Sequence, residues 1–360
     1  MLVAIGDVFA EQLQPFEDTH PRIVAYCEQS RPAGSSLTEF SQGWMEASSM
    51  AKEPTVFCMS VTPFDETGGF DESAYRQHLE RLVGSGVGIY FASPGSGEGH
   101  SLSNAELEHV YRVGVETCKG KVPICANIPE ARTAQGLLEK ARLAIRAGVD
   151  VVQIYTVDPG HGMRPTEAEQ EAFYREVLDQ IDYPVGLSVN MLAGGYRTPI
   201  GVLKRLCADY TQVQFVNVLQ PPTAYLSALM DAIGPRIPFY CGIHMMPEAL
   251  TLGVAGCLAA QPNVVPFLVR SIGHHLMRGN VEQCGSAYRQ IFRLHAAVEH
   301  LGARWIKAAM AILDLPGHGG GRMRPPYLPL DPEETRKLGT ALHAMGLMGS
   351  ERRVQAEISG

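Results

Sequence analysis

The chain predicts an α/β protein, a (β/α)8 TIM barrel carrying a C-terminal appendage of three helices. Three observations support this. From Thr55 onward, short β-branched or aromatic runs alternate with amphipathic stretches of helical length, the pattern of βα units that build a parallel sheet. Eight such pairs occupy about 220 residues, the size of a closed barrel. Three more helical patterns then follow the last strand. A doubly wound open sheet is the competing architecture.

The expected strands, in order, are Val56–Val61, Gly88–Ala92, Val122–Ala126, Val151–Tyr155, Val185–Val189, Val213–Val218, Pro238–Cys241 and Gly256–Ala259. Between them, helical periodicity covers Asp71–Val83, Ser103–Cys118 and Thr133–Ala147, with Asp71, Ser103 and Thr133 as N-caps. Gly148 supplies a C-cap ahead of the fourth strand. In the sixth strand, period-two alternation puts Val213, Phe215 and Asn217 on one face, so Asn217 points into whatever cavity the C-terminal end borders. The later helices are Val281–Leu301, Ala303–Leu313 and Pro332–Ala344, and Gly317–Gly321 is expected to be a flexible turn rather than a phosphate loop. This divides the chain into an N-terminal extension (1–54), a barrel (55–280) and a C-terminal helical region (281–350). The extension mixes polar and aromatic residues without sustained periodicity, and Met50 is an alternative start.

With 45% hydrophobic and 19% charged residues over 360 positions, the composition is that of a globular protein. The formal charge of −8 argues against nucleic acid as a partner, because phosphate contacts need a basic surface. A local basic pocket for a small acid stays open. No window reaches the apolar length of a membrane span, and the N-terminus lacks the pattern of a secretory signal. The eight cysteines are scattered without a C-x-x-C pair, which suits a reduced, cytoplasmic protein.

In such a barrel the residues just after each strand carry the chemistry. Four of these positions form a set: Val61-Thr62-Pro63-Phe64; Gly95-Ser96-Gly97-Glu98; Ala147-Gly148-Val149-Asp150 before the fourth strand; and Gly321-Arg322-Met323-Arg324-Pro325-Pro326 near the end. By their order and spacing, residues 55–346 resemble the dihydrodipicolinate synthase / N-acetylneuraminate lyase family. The resemblance implies a homo-oligomer, dimer or tetramer, acting on pyruvate or a related 2-keto acid through a lysine Schiff base on strand six. Here Phe215-Val216-Asn217 occupies the place of that lysine, and no lysine lies between Leu206 and Arg236. An amide nitrogen has its lone pair delocalised into the carbonyl and cannot add to a ketone. The family's Thr-Thr reads Gly95-Ser96, its Thr-Pro-Tyr-Tyr reads Thr156-Val157-Asp158-Pro159, and Ser188 replaces its strand-five tyrosine.

The expected catalytic residues are therefore Asn217, as hydrogen-bond partner of a carbonyl or enolate oxygen, His161 and Asp158 as proton carriers, and Tyr155 in place of the lost phenol. Carboxylate and substrate contacts are expected from Thr62, Ser96, Gly97, Arg164, Arg197 and His244. Any one of these loop residues has an ordinary alternative as a turn or solvated side chain. No cofactor and no metal is expected, since the spacing of Glu98, Asp158, His161 and His244 fits no compact metal motif. A small carboxylate or keto acid is the expected partner. The alternative function is a catalytically inactive homologue that keeps only the barrel.

Overall fold

The computed structural model describes residues 53–191 and 195–358. The expected extension therefore lies, but for its last two residues, outside the described residues, as do Met50 and Cys27. Eight parallel strands close a barrel in sequential order: β1 (Thr55–Met59), β2 (Gly88–Phe91), β3 (Ile124–Asn127), β4 (Val151–Ile154), β5 (Val185–Ser188), β6 (Val213–Val218), β7 (Phe239–Gly242) and β8 (Gly256–Ala259), with β8 hydrogen-bonded to β1. The helices that follow β1 to β8 in turn are α1 (Glu72–Gly84), α2 (Asn104–Cys118), α3 (Ala134–Ala147), α4 (Glu167–Leu178), α5 (Ile200–Asp209), α6 (Thr223–Ile233), α7 (Met246–Thr251) and α8 (Pro266–Met277).

The caps are where the side-chain chemistry puts them. Asp71 Oδ1 accepts from Ala74 N at 2.9 Å, Thr133 Oγ1 accepts from Gly136 N at 3.1 Å, and Ser103 forms a reciprocal capping box with Glu106. Gly148, at φ 86°, ends α3. The C-terminal region holds α9 (Val281–Val298), α10 (Arg304–Ile312) and α11 (Pro332–Ala344), as expected, and also a fourth helix, α12 (Leu347–Ile358). That last helix is tied to the barrel by Glu351, whose two carboxylate oxygens accept from Phe267 N and Leu268 N in the first turn of α8, each at 2.8 Å.

Two expectations need correction. Gly317–Gly321 is a packed turn rather than a flexible one: Gly317 sits at φ 77°, and a Cβ there would lie 2.3 Å from Ala74 O on α1. Val213 also does not share a face with Phe215. Val185 pairs with Val213 but Gly186 pairs with Phe215, so Gln214 is an extra residue bulging out of β6. Val213 therefore packs in the layer between sheet and helices, while Phe215 turns into the lumen with Phe57, Tyr90, Cys125 and Leu258. Gly186 makes room for that ring, since a Cβ there would lie 2.1 Å from Phe215 Cζ. The rings of Phe57 and Tyr90 meet edge to face at 5.1 Å, and those of Phe215 and Tyr240 at 5.5 Å, so this layer plugs the barrel and leaves the next one up for polar residues. The seven described cysteines are free and buried.

Candidate active site

One inward position above Phe215 stands Asn217, 1% exposed. Its Nδ2 donates to Gln153 Oε1 at 3.0 Å; Gln153 Nε2 donates in turn to Asn127 Oδ1 at 2.8 Å and to Tyr155 Oη at 3.2 Å; Tyr155 Oη donates to Asn127 Oδ1 at 3.1 Å. β3, β4 and β6 thus contribute one buried amide each to a chain across the lumen. Tyr155 faces inward. Burial pushes its phenol pKa upward, so at neutral pH it keeps its proton and acts as a hydrogen-bond donor. Asn217 Oδ1, Asn127 Nδ2 and the hydroxyl of Ser188, which is paired in register with Asn217, find no hydrogen-bond partner although buried. Gln153 and Asn127 were missed in the sequence, though each is a polar residue at an inward position of an apolar strand.

The loop after β2 is self-contained. Ser96 Oγ donates to Met59 O at 2.7 Å, Gly97 N donates to Ser93 Oγ at 3.0 Å, and Thr62 Oγ1 donates to Gly97 O at 2.7 Å. A Cβ on Gly97 would lie 2.6 Å from Ser93 N, so packing alone requires glycine there. The donors expected to hold a carboxylate are thus already engaged. Glu98, at φ 50°, turns the other way: Oε1 pairs with Lys307 Nζ at 2.5 Å and Oε2 accepts from Arg324 N at 3.0 Å. Lys307, from α10, also donates to Arg322 O at 2.9 Å and lies 4.2 Å over the Phe64 ring. Burial pulls its ammonium down to about 8, with the Glu98 carboxylate opposing the fall. Sequence reading missed this lysine, because its partner lies 209 positions away.

A cleft of about 740 Å³ opens at the C-terminal face of the barrel. Its inward floor includes Met59, Leu219 and Leu258, and Leu219 is the next inward position of the chain after Asn217. Arg164 and Arg197 line it, each stacked over a tyrosine: the guanidinium carbon of Arg164 lies 5.6 Å from the Tyr196 ring centre and that of Arg197 5.4 Å from Tyr225. Arg197 is presented by a short antiparallel ladder, Asn190 to Arg197 and Met191 to Tyr196, and its Nη2 donates to Gln220 O at 3.2 Å. His244, just past β7, also lines the cleft, edge to face with His295 of α9 at 4.3 Å between ring centres. Burial and the neighbouring His295 imidazole lower the pKa of His244, which leaves it neutral at pH 7. Among the described residues, no aspartate or glutamate lines the cleft. A neutral imidazole and two guanidiniums without a carboxylate partner suit a small acid.

Arg164, Arg197 and His244 therefore meet in one cleft, with Asn217 and Tyr155 a layer deeper. Ser96 and Gly97 belong to the packed β2 loop, and Thr62, in the segment after β1, donates to it. Asp158 and His161 sit on the β4 loop outside the cleft lining: Asp158 Oδ1 accepts from Gly160 N at 3.0 Å, and His161 is exposed. Among the described residues, no three His, Cys, Asp or Glu side chains converge to hold a metal ion, and no helix is long and apolar enough to cross a membrane.

A closed (β/α)8 barrel with a basic cleft at its C-terminal mouth defines a class of small-molecule enzymes and their relatives. Residues 53–345 match the Dihydrodipicolinate synthetase family, and the chain belongs to that family. It is similar to an Oceanobacillus iheyensis protein named Probable 5-dehydro-4-deoxyglucarate dehydratase, 27% identical over 301 residues, 80% of this chain and 93% of that protein. A Pyrobaculum aerophilum protein named Uncharacterized DapA-like lyase is 26% identical over 303 residues, 81% of this chain and 98% of that one. In fold it is similar to YagE, a prophage protein of the dihydrodipicolinic acid synthase family from E. coli K12 solved in complex with pyruvate: TM-score 0.75, 20% identity, 82% of this chain and 100% of that one. The family is one of lyases.

Proposed function

We propose that this protein binds a small carboxylate of the 2-keto-acid kind in the cleft above β5 to β8, and acts on it without a lysine Schiff base. The observation that carries the reading is the combination in one barrel mouth of two guanidiniums that have no carboxylate partner among the described residues with a β6 end that offers only an amide. Arg197 and Arg164 bind the carboxylate over the apolar floor of Met59, Leu219 and Leu258, and the unpartnered Asn217 Oδ1 and Ser188 hydroxyl lie buried one layer beneath that floor. The likeness to a fold solved with pyruvate supports the ligand class. A homo-oligomer, dimer or tetramer, belongs to the same proposal and is read by light scattering.

A second reading is favoured by the exposure of His161 and the placement of Asp158 outside the cleft: the protein binds its ligand and leaves it unchanged. One experiment separates the readings. Incubation with pyruvate and borohydride followed by mass spectrometry gives no adduct, and a thermal-shift screen of 2-keto acids gives at least one ligand, which is then followed for turnover. Conversion supports the lyase, and binding without conversion supports the silent homologue. A covalent adduct on any lysine, Lys307 first among them, overturns the proposed mechanism, and failure of every keto acid to bind overturns both readings.

A further inference from the structure

The cleft has two polar ends on different elements. Arg164 and Arg197 come from the loops after β4 and β5, whereas His244 comes from the end of β7 and His295 from α9. Apolar Met59, Leu219 and Leu258 also line it. A three-carbon acid on Arg197 leaves most of about 740 Å³ unfilled, since clefts of that size hold far larger ligands. The His295 side chain is one-third exposed and lines the cleft.

We propose that His244 and His295 form a second anion subsite, so that the preferred ligand is a dicarboxylate with one end on Arg197 and the other on the imidazole pair. This rests on the carboxylate reading above and specifies its substrate class. The surroundings of the pair fit the role. His244 faces the His295 ring on α9 and the more distant Glu299 carboxylate just past the end of that helix, with the Phe292 ring at 5.4 Å and Tyr288 Oη donating to its backbone oxygen at 2.5 Å. His295 Nε2 lies 3.5 Å from the exposed Glu299 carboxylate. Burial and the neighbouring His295 ring disfavour a positive charge on His244 until an anion arrives. A carboxylate docking there supplies the counter-charge, and the His244 imidazole takes a proton from solvent to become the donor of a charge-assisted hydrogen bond. Ligand binding and proton uptake are thereby linked.

The test is calorimetry of the full chain at pH 7 with two five-carbon acids that differ only at the far end, 2-oxoglutarate and 2-oxopentanoate, in Mops and in Tris. The diacid is expected to bind about tenfold tighter or more, with a buffer-dependent heat that reports fractional proton uptake, and the monoacid to show no such uptake. His244→Asn and His295→Asn should each remove the preference and the uptake. Should one variant fail to fold, the wild-type comparison and the other variant still decide. Equal affinities for the two acids, or a preference that survives both substitutions, overturns the dicarboxylate inference while leaving the carboxylate reading intact. Failure of both acids to bind overturns the two together.

Discussion

Two groups of charges at the barrel mouth differ in one respect. Around the β2 loop, Glu98 closes on Lys307 and the Arg324 guanidinium on Glu106: the Glu98 and Lys307 side chains are each 3% exposed, the Arg324 backbone N–H donates to Glu98, and the Phe64 ring packs beneath both cations. Across the mouth, the Arg164 and Arg197 guanidiniums face a cleft with stacked aromatics and a backbone carbonyl but no carboxylate among its described lining residues, beside the His244 and His295 imidazoles, the latter 3.5 Å from the exposed Glu299 carboxylate. The first group is satisfied by the fold and serves to hold the C-terminal helices on the barrel. The second is poised for something from outside. Charge that is closed in a dry interior is structural, and charge left open over an apolar floor is recognition.

The largest expected effect tests the closed group. Lys307→Met leaves Glu98 buried and uncompensated and should destabilise by about 3–5 kcal/mol in urea titration. A loss below roughly 1 kcal/mol would put the pair in the class of exposed ion pairs and erase the contrast. Arg197→Gln is the opposite case: stability should stay within about 0.5 kcal/mol, while carboxylate affinity falls by about 1.5–3 kcal/mol. A large stability loss without an affinity change would reverse the assignment. Asn217→Ala removes the donor to Gln153 Oε1 and should cost about 1–3 kcal/mol; a neutral outcome would show that the amide chain does not hold β4 and β6 together.

The smallest effect concerns a closed charge paired with amides instead of a cation. Burial outweighs the two N–H donors and pushes the Glu351 carboxyl up to about 7. The folded protein therefore holds that proton more tightly than the unfolded chain does. This stabilising contribution is complete below the ordinary carboxylate range and is lost as pH rises through about 7. Thermal melts at a series of pH values from 5 to 8 should show wild type losing stability relative to Glu351→Gln, which cannot titrate. Parallel curves would sink the idea.

Much of this was legible in the chain and some of it was not. Alternating short strands and capped helices place the eight barrel strands within a few residues of their positions, because Asp71, Ser103, Thr133 and Gly148 act on backbone groups only a few residues away. Asn217 was readable as inward-facing for the same local reason. The bulge at Gln214 was not, since it exists only through pairing with β5, and it takes Val213 off the face that simple alternation assigns it. Ser96 looked like an anion donor because nothing in its own loop says that Met59 O, 37 positions earlier, already takes its proton. His161, in the most reactive-looking loop, is on the rim, and His295, in an unremarkable helix, is in the cleft.

By itself the sequence determined the barrel, its first strand near Thr55, the amide at the end of β6 and the family to which the chain belongs. All of these follow from patterns and caps that act over a few residues or from the identity of a single side chain. Tertiary structure alone decided which charges are already satisfied and which remain open. That distinction depends on partners brought together from elements as far apart as β2 and α10, or β7 and α9, and no local rule of spacing records which of two such side chains has been answered within the fold.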